Sequence, residues 1–167
     1  MKKEKSAGAI IFFESRGKRE YLILNYLGGH WSFAKGHIEI NEDPVKTTLR
    51  EVKEETSLDI KIIPGFQRIT TYSFKHKGEI VIKEVIFYLA KSKNQKVILS
   101  EEHKGYVWLP FKQAFYLLTY QDDKNNLKDA EFFIRRKLKK DKNYNSNKQN
   151  LNFNKFKIKN NNLNDKT

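Results

Sequence analysis

Not one cysteine occurs among the 167 residues, which removes disulfides and thiolate metal sites and leaves only oxygen and nitrogen atoms to ligate a metal. No apolar run approaches the ~20 residues that span a bilayer, so no membrane partner is expected. The opening MKKEK is charged like a leader, but the AGAIIFF behind it is brief and lacks a small-residue cleavage site. These absences point to the reducing cytoplasm. Acidic residues are scarce beside basic ones, 20 against 33, for a formal net charge of +13. Residues 139–167 hold eight lysines and two aspartates, net +6, and residues 1–138 keep +7. A basic surface in both parts suits polyanionic ligands such as nucleotides or RNA. It suits a solvated lysine-rich surface without a partner equally well. No feature sets an oligomeric state.

What is present, 38% apolar and 13% aromatic residues, is enough for one compact α/β domain with a buried core. Residues 7–14 (AGAIIFFE) and 20–27 (EYLILNYL) read as strands around the turn-prone Ser15–Arg16–Gly17–Lys18. The following HWSFAKGHIEINEDP is too irregular for a long element. A helix is expected over 44–56: Asp43 can cap it, Pro44 suits its first position, and Val45, Leu49 and Val52 form an apolar stripe. Strands follow at 60–63, 67–75, 80–90 and 105–109, with helices at about 111–119 and 127–138. From 139 onward ten asparagines stand in 29 residues. Such composition cannot bury enough surface to offset its ordering entropy, so residues 1–138 are expected to form the domain and 139–167 a disordered tail. A nucleic-acid-binding arm is the alternative reading of that tail.

The chemistry concentrates in Gly36 to Leu58, GHIEINEDPVKTTLREVKEETSL. On a helix Glu51 lies one turn from both Glu54 and Glu55. Clustered carboxylates repel one another until a hard divalent cation sits between them, and magnesium prefers such oxygens while keeping waters, one of which can become a nucleophile. Arg50 can pair with Glu54 or reach back to Glu42. REVKEE alone is also what an ordinary solvated helix carries. Gly36 and Glu42 ahead of it make the difference. Together these residues resemble the Nudix box, G-x5-E-x7-R-E-U-x-E-E-x-G-U with U a bulky aliphatic residue, through Gly36, Glu42, Arg50, Glu51, Val52, Glu54, Glu55 and Leu58. Eight of nine defined positions agree, and Ser57 stands where the pattern has glycine. A glycine there ends the helix with positive φ, so serine is expected to cost ~1 kcal/mol or to shift the turn.

The resemblance implies a Nudix-type α/β/α sandwich with a mixed sheet and a metal-dependent pyrophosphohydrolase activity, with magnesium the expected cofactor and manganese its substitute. Glu51, Glu54 and Glu55 would then hold metal, one of them also deprotonating the attacking water, and Gly36 would offer its carbonyl or permit close approach. Within the family the chain is most similar to asymmetric diadenosine tetraphosphate hydrolases, through HWSFAKGH, GFQRITTY and LSEEHKGYVWL. That likeness implies phosphate-facing roles for His30, Lys35 and Lys83, a loop carboxylate for the metals at Glu102, and an adenine sandwiched by Tyr72 and Tyr120. Each has a plainer reading: His30 as a packed or capping histidine, Tyr72 and Tyr120 as half-buried core residues, Lys83 as a solvated strand lysine. Ala34 and Asn41 depart from a common proline and glycine, and Asn41 tolerates left-handed backbone. The implied reaction is attack of water on a dinucleoside polyphosphate. An RNA 5′-pyrophosphohydrolase would share the box, and a non-catalytic nucleotide or RNA sensor would usually have lost its carboxylates.

Overall fold

The structure, a computed structural model, describes the backbone of residues 2–161 and the side chains of residues 2–143 and 145. The chain runs β1 (Lys2–Ser15), β2 (Lys18–Tyr26), β3 (Trp31–Ser32), β4 (Ala34–His37), α1 (Pro44–Thr56), β5 (Ile60–His76), β6 (Glu79–Ser92), β7 (His103–Leu109), α2 (Phe111–Leu117) and α3 (Gln121–Asn161). It divides into two units, residues 1–130 and 131–167, within α3 and ahead of the composition change at residue 139. The sheet and the site belong to the first unit.

A continuous run of small and then large apolar residues, 6–12, is buried on both faces of β1, and this strand organises the sheet. β1 runs parallel to β6 and antiparallel to β2 and β4, while β5 and β6 form an antiparallel hairpin. The order is β3-β2-β1-β6-β5, with β4 on β1 and β7 on β2, a mixed sheet of seven strands. Ala9, Ile11, Leu22, Leu24 and Ala90 gather on one face around Val52 of α1. The alternate residues Ile10, Tyr21, Ile23, Phe87 and Leu89 point the other way and are buried as well. On that second face Thr70 of β5, in register with Val85, accepts a hydrogen bond from Asn126 of α3. Both faces are covered by helix, the α/β/α arrangement that the resemblance implies. Among the described residues no helix is long and apolar enough to cross a membrane.

α1 begins and ends where expected, with Asp43 Oδ1 accepting from Lys46 N–H at 2.9 Å and Pro44 in the first turn. Its buried face is a correction. Val45 and Leu49 are 39% and 42% exposed, and the residues that go inside are Thr47, Thr48, Val52, Glu55 and Thr56. The threonines bury cheaply because each hydroxyl is satisfied nearby: Thr48 donates to Pro44 O, Thr56 to Val52 O and Thr47 to Glu42. Ser57 closes the helix at φ 59°, and Asn41 sits at φ 70°. Both non-glycine departures thus occupy left-handed backbone, which for serine costs about 1 kcal/mol.

Other differences have local causes. The expected strands 60–63 and 67–75 are one strand whose register shifts between Ile62 and Gln67, around Pro64–Gly65. HWSFAKGH contains the short strands β3 and β4. α3 starts earlier than expected, at Gln121, and runs to Asn161. Intrahelical hydrogen bonds are local, and propagation from an existing helix needs no new nucleus. Residues 162–167 of the expected tail lie outside the described residues.

Candidate active site

The loop before α1 is tied to the helix by Arg50. Its Nε and Nη2 donate to the two oxygens of Glu42 at 2.8 and 3.0 Å, and Nη2 donates to His37 O at 3.0 Å. Nη1 reaches Glu51 at 2.8 Å and Glu54 at 3.1 Å. The hydrogen bonds from Arg50 hold the Glu42 carboxyl at about 2. Across from this clamp a Cβ built on Gly36 would fall on the Glu51 carboxylate, so any larger residue there would displace that side chain. Glu54, 58% exposed, faces outward toward Arg50.

Glu55 is the deepest carboxyl of the helix, 3% exposed. Its Oε2 accepts the backbone N–H of Lys35 at 2.9 Å. Its Oε1 lies 3.4 Å from Nε2 of His103, yet both atoms are buried without a hydrogen bond. Burial pushes the Glu55 carboxyl up to about 8 against the pull of the Lys35 charge, with the negative charges of Glu51 and Glu102 adding to the rise. Burial also raises Glu51, again with Glu102 contributing. The Glu102 carbonyl accepts from Leu27 N–H at 3.2 Å, which anchors the loop before β7 beside the site. Among the described residues no three acid or histidine side chains already converge as a cation cage, since Arg50 engages Glu51 and Glu54. The orphaned buried Glu55 oxygen, the desolvated Glu51 and the all-oxygen donor set nevertheless fit a hard divalent cation.

On the second face of the sheet lies a cavity of about 510 Å³ whose lining includes His30, Lys35, Tyr72, Lys83, Tyr120 and Asp123. The strand period and register explain the gathering, because Thr70, Tyr72 and Phe74 of β5 share a face with Val85 and Lys83 of β6. Tyr72 and Tyr120 are 41% and 53% exposed, so their rings are open to a ligand. The cavity therefore collects the five residues expected to bind substrate, whereas Gly36, Glu51, Glu55 and Glu102 are outside its lining and Glu55 is tied to it through the backbone N–H of Lys35. Glu54 stands apart on the outer flank. Burial lowers both Lys35 and Lys83 from the usual lysine range.

Sequence reasoning misses three members. Tyr26 is the hub: its ring stacks on His30 at 4.6 Å, meets His103 edge-on at 4.4 Å and lies 4.2 Å beneath Lys35 Nζ. Its hydroxyl donates to Phe33 O at 2.7 Å. The only hint in the sequence is a polar-tipped aromatic at the end of an apolar strand. His103 directly follows Glu102, and nothing in SEEH separates their roles. Asp123, 5% exposed and pushed up by burial, accepts from Ser32 Oγ at 2.6 Å; only the tertiary fold brings residues this far apart together.

A glycine-bounded loop, a helix of carboxylates beneath a mixed sheet and a cation-lined cavity define a class, and residues 2–134 match the NUDIX domain. The chain belongs to the Nudix family and is a hydrolase of phosphoric anhydride bonds, a family that generally uses divalent metals. It is similar to the asymmetrical bis(5′-nucleosyl)-tetraphosphatase of Mus musculus, 35% identical over 122 residues that cover 69% of this chain and 80% of the mouse protein. The Caenorhabditis elegans protein of the same description is 31% identical over 134 residues, 78% of this chain and 96% of its own. A crystal structure of a C. elegans Ap4A hydrolase binary complex superposes with a TM-score of 0.71 at 30% identity, covering 79% of this chain and 98% of that one.

Proposed function

We propose that this chain hydrolyses dinucleoside polyphosphates, diadenosine tetraphosphate above all, to ATP and AMP. The observation that carries the reading is the single cavity in which two open tyrosine rings, Tyr72 and Tyr120, share a wall with the cations Lys35 and Lys83. A purine held between flat aromatic faces gains ~1–3 kcal/mol from stacking. The two lysines neutralise the phosphate chain, and His30, stacked on Tyr26, lies beside Lys35 to contact it. Glu51, Glu54, Glu55, Glu102 and the Gly36 carbonyl are the oxygens that would hold magnesium. When bound, a divalent cation supplies charge neutralisation for the phosphates and lowers the energy needed to make water a nucleophile. We assign to Glu55, one of whose buried oxygens makes no hydrogen bond, the task of taking the proton from that water.

With one nucleoside clamped and the chain pinned by two lysines, a single phosphorus meets the nucleophile, and unequal products follow. Hydrolysis of diadenosine tetraphosphate with magnesium in oxygen-18 water is expected to give ATP and AMP with label in only one of them. ADP as the main product sinks the reading. So does an absence of hydrolysis beside brisk release of pyrophosphate from 5′-triphosphorylated RNA, which would assign the cavity to an RNA end.

A further inference from the structure

The approach to α3 and its first turns do more than close one side of the cavity: we propose that Thr119, Asp123 and Asn126 are positioning residues that set the gap between Tyr120 and Tyr72. The inference rests on the reading of those two rings as a base clamp. Trp31 N–H donates to Thr119 Oγ1 at 2.8 Å, and Thr119 N–H donates back to Trp31 O at 3.1 Å. This reciprocal pair joins the neighbour of His30 to the neighbour of Tyr120, whose rings stand 5.5 Å apart. About one turn further on, Ser32 Oγ donates to Asp123 Oδ2 at 2.6 Å. Another turn on, Asn126 Nδ2 donates to Thr70 Oγ1 at 3.0 Å. Thr70 stands two residues before Tyr72 and on the same face of β5.

Asp123 and Asn126, three apart, share one side of α3, and Thr119 stands just ahead of that helix, so the three act as rungs of a spacer bar. One end of the bar holds Tyr120, the other holds the strand that carries Tyr72. Ring packing, Tyr72 against Phe74 and Tyr120 against His30, leaves each ring about half exposed and does not by itself fix the gap. The polar rungs set it, and Asp123 and Asn126 are 5% and 7% exposed, where breaking a hydrogen bond strands a buried polar group. A slot of preset width loses less conformational freedom when it takes up a base.

The test is steady-state hydrolysis of diadenosine tetraphosphate by the full chain. Thr119→Val and Asn126→Ala are expected to raise KM about fivefold, the scale of one net hydrogen bond, with kcat unchanged. Thr119→Ser keeps the hydroxyl and restores the original KM. In a Tyr120→Ala background Thr119→Val adds nothing further, because its effect runs through that ring. If thermal unfolding shows that Asn126→Ala does not fold, Ser32→Ala removes the middle rung from the strand side and takes its place. Unchanged KM in Thr119→Val, a fall in kcat without a rise in KM, or a loss that adds in full to that of Tyr120→Ala overturns the inference. Tyr120→Ala with an unchanged KM instead overturns the clamp itself.

Discussion

An ionised carboxylate at 3% exposure with one oxygen unpartnered carries an effective desolvation penalty on the order of several kcal/mol. Glu55 is held there by the packing of Val52 and Thr56 on either side of it, all three on the buried face of α1. The fold tolerates the group because burial shifts it toward the neutral form, and a bound cation would stabilise the charged one. Two consequences separate a functional from a structural carboxyl. Glu55→Gln is expected to cut turnover by orders of magnitude, since it removes a charged oxygen from the metal side of the site. In chelator, the same variant is expected to melt at or above the parent temperature, because an amide needs no desolvated charge. Magnesium alone should raise the melting temperature of the parent and leave that of the variant in place. Near-normal turnover in a folded Glu55→Gln protein sinks the metal site proposed here.

At the scale of elements, the loop and α1 form one unit because a single guanidinium binds residues from three places: Glu42, His37 O and the helix acids Glu51 and Glu54. Arg50 holds Glu42 at about 2, below the usual carboxylate value near 4.3 in an unfolded chain. A depressed folded value means stabilisation that is complete above about pH 4.3 and is lost as pH falls toward 2. Glu42→Gln is therefore expected to be less stable near neutrality and to lose less further stability between pH 4.3 and 2, read by thermal melts in acid; parallel curves for both proteins would exclude the pair as an acid-sensitive tie. This unit was legible in the sequence, since caps, the proline and the box spacing are local signals. The stripe Val45–Leu49–Val52 misled because helical periodicity ranks residues by polarity, whereas the buried threonines hide their hydroxyls in bonds to Glu42 and the helix carbonyls. β3, β4 and the Tyr26 hub were illegible for a related reason. Two-residue pairings and ring contacts among Tyr26, His30, His103 and Lys35 exist only once β2, β3, β4 and β7 are side by side.

For the whole molecule the decisive property is charge, and the two parts of the chain carry it differently. Residues 1–138 have net +7 on a framework whose cavity already uses Lys35 and Lys83. Residues 139–167 carry net +6 with ten asparagines and few large apolar residues. Asparagine is a weak helix former, and a helix that is polar all round draws no stability from burial. The domain proposed for residues 1–138 is therefore not expected to need this stretch. Truncation after Leu138 is expected to leave the melting temperature and the hydrolysis of diadenosine tetraphosphate close to those of the full chain. Polyanion binding should change instead. Each lysine that contacts a phosphate releases a counterion, so affinity for single-stranded RNA falls with salt at about 0.7 log units per contact. Fluorescence anisotropy with a short labelled RNA, titrated at several salt concentrations, should show a shallower slope and weaker binding for the truncated chain. Identical slopes would mean that the tail's lysines stay solvated, and a drop of several degrees in melting temperature would show that the stretch supports the fold.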